Sequence, residues 1–129
     1  MSDTSWLDAY LLAKAGAEKD YKVEWGWERY RVREKMFAAL CRPGEKHAEE
    51  YAMHPLISLK CDPIESELLR SQYPDILPGF YMDKRAWISV RLDGNVPKEL
   101  LCRLCDTSYE LIFSKLTKKL QREIAGEQK

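Results

Sequence analysis

Glycine is scarce in this chain, with six in 129 residues. A phosphate-cradling loop needs glycines in close order, and neither G-x-G-x-x-G nor G-x-x-x-x-G-K-[ST] occurs. The serine-nucleophile elbow G-x-S-x-G is missing as well. Nothing in the chain therefore points to nucleotide-loop or serine-hydrolase chemistry. No apolar run approaches the length of a bilayer span. An excess of one charge is also lacking, because 21 basic side chains balance 21 acidic ones. A neutral total excludes a strong whole-molecule pull on nucleic acid or an anionic membrane, and leaves room for a local patch. The opening "MSDTSWLDAY" is acidic and has no basic start of a signal peptide, so a cytoplasmic location is expected. The four cysteines are then expected to be reduced.

What is present fits an ordinary globular chain: 45% hydrophobic and 33% charged residues. Residues 1–129 are expected to form a single domain with a core that needs no disulfide staple. Trp6, Leu7, Tyr10 and Leu11 share one arc at helical spacing after the capping-box-like pair Ser5 and Asp8. Gly16 and the charged run "AEKDYK" are expected to close or fray that helix. "ERYRVREKMFAALC" reads as a hairpin with its turn at Glu34-Lys35 and its return strand from Met36 to Cys41. "RPGEKHAEEYAMHP" reads as a polar loop with a short helical piece, and "LISLKCD" as a strand. Asp62, Pro63 and Glu65 mark the N-cap, first and third positions of a helix running to about Gln72. "YPDILPG" is expected to be an ordered loop. In "FYMDKRAWISVRLDG", Ile88, Val90 and Leu92 alternate with Trp87, Ser89 and Arg91, which predicts a strand with one buried side. Pro97 as first helical residue, and then Thr107 with Glu110 as a second capping box, predict two closing helices. The order α, β-hairpin, β, α, β, α, α gives an α+β class, an antiparallel sheet packed by helices on one face.

Candidate chemistry is thin. Cys102-x-x-Cys105 has the spacing of half a metal site, but it lies within an amphipathic helix, where small hydrophobes are the simpler reading. No metal and no cofactor are expected. His47 and His54 lack helical ligand spacing and read as surface loop histidines. Basic groups are the stronger lead. Arg29, Arg31 and Arg33 leave one side of one strand, Lys84, Arg85 and Arg91 flank Trp87, and Lys115, Lys118, Lys119 and Arg122 form a stripe on the last helix. Nucleic-acid surfaces combine such cations with an aromatic for stacking, whereas a solvated polar face needs the cations alone. Trp87 is expected to pack beneath the preceding proline loop, with Trp6 and Trp25 also in structural use.

The stretches "YRVREKMFAAL", "ISLKCDP", "YPDILPGFYMDKRAWISVRLDGNVP" and "SYELIFSKLTKKLQ" resemble, in order and spacing, those of the MmcQ/YjbR family of small bacterial proteins, from about Tyr21 to Arg122. The resemblance implies a CyaY-like fold of a sheet packed by helices and a "double wing" DNA-binding role that itself rests on fold analogy. It supplies no catalytic residue. Lys60, Lys84, Arg85 and Trp87 match the family's motif positions, with Lys35 behind them. Together with Arg29 and Arg31 they are the expected nucleic-acid-binding residues of a non-enzymatic DNA-binding protein. The rival expectations are a protein- or peptide-binding module using the outer sheet face, and a small-molecule or metal site. The sequence does not fix an oligomeric state.

Overall fold

The computed structural model describes residues 5–127. Its elements are α1 (Ser5–Leu12), β1 (Ala17–Lys22), β2 (Trp27–Val32), β3 (Lys35–Cys41), β4 (Leu56–Lys60), α2 (Pro63–Gln72), β5 (Ile76–Pro78), β6 (Trp87–Arg91), α3 (Lys98–Phe113) and α4 (Lys118–Glu127). The six strands make one open sheet in the order β1-β2-β3-β4-β6-β5, with every neighbouring pair antiparallel. The fold is α+β, as the sequence indicates.

Alternation along the strands sorts the sheet's two faces. Tyr30, Val32, Ile57, Leu59, Ile88 and Val90 point to the inner face and form one core with Leu7 and Leu11 of α1, Leu69 of α2, Leu101, Leu104 and Ile112 of α3, and Ile124 of α4. Each such side chain removed from water contributes about 1.5–3 kcal/mol, so this layer dominates stability. A bulge between Tyr30 and Arg31 shifts the register of β2 against β3, and the consecutive residues Phe37 and Ala38 both join the inner core.

Helix α2 begins as its sequence dictates. Asp62 accepts hydrogen bonds from the amides of Ile64 and Glu65 at 3.1 and 3.3 Å, and Pro63 opens the first turn.

Six expectations need correction. The run "AEKDYK" is not a frayed helix end but the edge strand β1. Its charges are absorbed by neighbours: Lys19 binds Asp8 at 2.7 Å, and Asp20 faces Arg29 directly across the ladder. The hairpin turn lies one residue earlier, at Arg33-Glu34, with Arg33 at φ 56°, because β3 starts at Lys35. "YPDILPG" contains β5, a short edge strand ending on Pro78, where proline is tolerated because the edge needs no further donor. Thr107 does not start a helix. Helix α3 runs through it to Phe113, with Pro97 as its N-cap rather than its first residue. Continuing the helix keeps Leu104, Cys105, Ser108 and Ile112 buried in one stripe, which outweighs a local cap. The break comes at 114–117. There Thr117 accepts from the Leu120 amide at 3.2 Å, and the Gln121 side-chain amide donates to the carbonyls of Phe113 and Leu116. Lys115 therefore precedes α4 instead of belonging to its stripe.

Candidate functional site

Among the described residues no helix packs on the outer face of the sheet. Its middle is polar but satisfied: the hydroxyls of Ser58 and Ser89 lie 2.7 Å apart between β4 and β6, fully buried. Ser89 Oγ also accepts from the Phe80 amide at 2.8 Å, which draws the loop after β5 down onto the sheet. Phe80 then packs with Trp27, Ala39, Tyr51 and Leu56 into a second, smaller core. Tyr51 reaches this core from the loop joining β3 to β4 and donates its hydroxyl to the Pro78 carbonyl at 2.7 Å. The same loop is closed on itself, since the Met53 amide donates to the Pro43 carbonyl at 2.7 Å. Arg91 holds it from below, donating to the Glu50 and Pro74 carbonyls and pairing with Asp75 at 2.9 Å.

Beside this small core the loops leave a cleft of about 660 Å³. Three separate stretches wall it: Glu24 to Trp27 at the start of β2, Cys41 to Gly44 with His47 at and beyond the end of β3, and Phe80 to Met82 before β6, together with Met36 of β3. Rings dominate. Trp25 and Trp27 meet edge to face at 5.3 Å, Phe80 and Tyr81 lie 4.5 Å apart, and His47 stands edge-on to both Phe80 and Tyr81. Two of these rings face solvent, with Trp25 54% and Tyr81 73% exposed. Tyr81 also holds a left-handed backbone at φ 56°, a conformation that costs a non-glycine residue of order 1 kcal/mol and collects at binding sites. Gly26, at φ 71°, makes the tight turn that brings Trp25 alongside Trp27.

The residues singled out from sequence fall into four separate settings. Lys60 and Trp87 are directly paired across β4 and β6, with the lysine ammonium 5.8 Å from the indole ring. Burial, and then the like charge of Lys115, lower the pKa of Lys60 below its ordinary 10.5. Trp87 is half-buried, and its side chain packs against the main core rather than beneath the proline loop as expected; Gly79 approaches only its Cβ and carbonyl, so that a side chain there would come within 2.8 Å of the Trp87 Cβ. Lys84 is committed locally, donating to the Gly79 carbonyl at 2.8 Å and lying over the Tyr51 ring. Arg85 is exposed in the same turn.

Arg29 and Arg31 share the outer face but both bind Asp20, at 2.7 and 3.3 Å. Arg29, first among its partners, holds that carboxylate below its ordinary pKa. Lys35 is exposed at the start of β3, paired in register with Val32.

Trp25, placed among structural tryptophans by its sequence context, is a cleft wall instead. His47, read as a surface loop residue, is half-buried between two rings. Cys102 and Cys105 lie on α3, and burial pushes the Cys105 thiol up to about 12. Among the described residues no group of three or more His, Cys, Asp or Glu could hold a metal ion. No helix among them is long and apolar enough to cross a membrane.

Comparison with known proteins places this architecture. The YjbR family model matches residues 12–111. The chain is 34% identical over 106 residues to the uncharacterized protein YjbR of Escherichia coli K12, covering 82% of this chain and 83% of that one. It is 39% identical over 70 residues to the uncharacterized protein YbdF of Escherichia coli O157:H7, which covers 54% of this chain and 57% of the relative. Among solved structures it is similar to Deinococcus radiodurans protein DR2400, described as a DUF419 domain, with a TM-score of 0.78 at 27% identity over 97% of this chain and 89% of that one. A Pseudomonas syringae protein superposes with a TM-score of 0.71 at 27% identity, over 87% of this chain and 99% of its own. The chain belongs to the YjbR family.

Proposed function

We propose that the chain is a non-catalytic binding module that receives a segment of a partner protein on the outer face of its sheet. One observation carries this reading: the cleft of about 660 Å³ walled by the exposed rings of Trp25 and Tyr81. Tyr21 and Val23, in and just after β1, are exposed too, at 58% and 74%. A cluster of large apolar side chains left in water marks an interaction site. Trp, Tyr and Arg are the residue types that dominate interface hot spots, and all three line this cleft. Met36 and Met82 add flexible apolar surface that adapts to different anchors.

A peptide library selected on the protein tests the reading. The selected ligands are expected to lose about thirtyfold in affinity on Trp25→Ala, the ~2 kcal/mol of a hot spot. They are expected to keep their affinity on Lys60→Ala. Ligands indifferent to both Trp25→Ala and Tyr81→Ala would overturn it.

DNA is the second reading, favoured by one specific feature. Lys60 is half-buried, makes no direct ion pair among the described residues, and feels the like charge of Lys115 along with the opposite charge of Asp83. A phosphate arriving there relieves that repulsion, with Arg85 exposed close by in sequence to Trp87. Arg29 and Arg31 contribute less, because Asp20 already neutralises part of their charge. On this reading duplex or single-stranded DNA binds at low salt, weakens steeply as salt rises, and is released by Lys60→Ala with Arg85→Ala. Binding absent at low salt, or insensitive to salt, would sink it.

A further inference from the structure

Resting on the cleft reading above, we propose that the partner segment is acid-flanked: one large apolar side chain enters the cleft, and a carboxylate next to it in the chain meets Arg42. Two charged residues line the cleft, Glu24 and Arg42. Glu24 is already matched, its carboxylate held by Lys22 at 3.0 Å. Arg42 is exposed and has no ion-pair partner among the described residues. The uncompensated charge on the cleft wall is therefore a guanidinium, whose planar fork suits a carboxylate.

The walls decide what enters. Besides Glu24 and Arg42 the lining is rings, methionines, Pro43, two glycines and the Cys41 thiol, which burial pushes up to about 11 and so keeps neutral. A large apolar side chain matches such walls. A lysine or arginine anchor is opposed by what surrounds Trp25. Lys22 lies 5.3 Å and Arg29 5.8 Å from its ring, so the cation-binding capacity of this indole is already used by the chain itself. A third cation would meet two like charges. The loop beyond Arg42 sets the reach. Glu45, Glu49 and Glu50 are exposed there with Lys46 and do not line the cleft, so a carboxylate distant from the anchor would meet acids rather than Arg42. The acid must be adjacent.

The test uses short fluorescent peptides that share a central Phe and differ only in its flanks, which are Asp, Ser or Lys. The Asp peptide is expected to bind about tenfold tighter than the Lys peptide, with Ser between, and the gap is expected to narrow with salt. Arg42→Glu, at an exposed position, is expected to reverse the order without moving the melting temperature. Equal binding of all three peptides, each lost on Trp25→Ala, would overturn the acid-flank inference and leave the cleft reading standing. No binding of any peptide, or binding untouched by Trp25→Ala, would overturn both. Displacement of unordered peptides by a single-stranded oligonucleotide would assign the cleft to bases instead, and would also overturn the inference.

Discussion

The two faces of the sheet are closed by different means. On the inner face helices bury the regular alternation of β2, β4 and β6, and the contacts are side chain on side chain. On the outer face loops do the covering, held by hydrogen bonds such as Phe80 to Ser89 and Tyr51 to Pro78. Helices fill their face, whereas the loops leave a cleft and two exposed rings. On the proposed reading, stability and recognition fall to opposite sides of one sheet. Deleting large side chains should then have opposite consequences on the two sides.

The largest effect belongs inside. Phe37→Ala is expected to cost about 3–5 kcal/mol in urea denaturation, since the ring is fully buried and packs edge-on to Tyr109 at 5.2 Å. Ser108→Ala comes next, at about 1–3 kcal/mol. Its buried hydroxyl donates to the Phe37 carbonyl at 2.6 Å and accepts from the Lys60 amide at 2.8 Å, so one small group joins α3 to two strands. Equal stability of this variant would mean that the helix is held by packing alone.

Acid should loosen the same side. Asp8 is held below its ordinary pKa of 3.8 by the Lys19 and Tyr30 hydrogen bonds. Burial raises Asp106, but hydrogen bonds from Lys14 and Tyr10 more than offset it, and its pKa is also lowered. A carboxyl whose folded pKa is depressed contributes stability above its unfolded value and loses it as pH falls through the folded one. Thermal melts are therefore expected to fall progressively below about pH 4, and less so in Asp106→Asn, which has already lost that contribution. An unchanged melting temperature across that range would refute the linkage.

Smaller still is Arg33→Gly. The first central residue of the hairpin turn has positive φ, the place where type II′ turns take glycine, but the arginine side chain makes a contact of its own that glycine gives up, so the change is expected to stay within about 1 kcal/mol of the parent in urea denaturation. The smallest effect is the one that sharpens the contrast. Trp25→Ala removes a larger ring than Phe37→Ala but is expected to stay within about 1 kcal/mol of the parent in stability, because the ring is mostly in water. A collapse of stability there would show that the cleft wall is structural.

Much of the inner side was legible in the sequence. The cap at Asp62 and Pro63 located α2, and the alternation of Ile88 and Val90 located β6. What escaped did so for physical reasons. Strand β1 lacks an apolar rhythm because it is a charged edge, and β5 is too short to show a period. Helix α3 overrode the local capping signal at Thr107 because its buried stripe is a tertiary fact. The basic residues were legible as types, but their pairing was not. Asp20 engages Arg29 and Arg31 only because β1 exists. The cleft was the least legible feature, since its walls come from three stretches that no periodicity connects. The sole hint was Trp25-Gly26-Trp27, a glycine turn between two large rings.

Four tryptophans make the decisive measurement direct. Their indole N–H resonances report on separate places: Trp6 on α1, Trp25 and Trp27 at the cleft, Trp87 beside Lys60. Titration with the Asp-flanked Phe peptide is predicted to shift Trp25 and Trp27 while Trp6 and Trp87 stay in place. A shift of Trp87 with Trp25 and Trp27 unmoved would contradict the account.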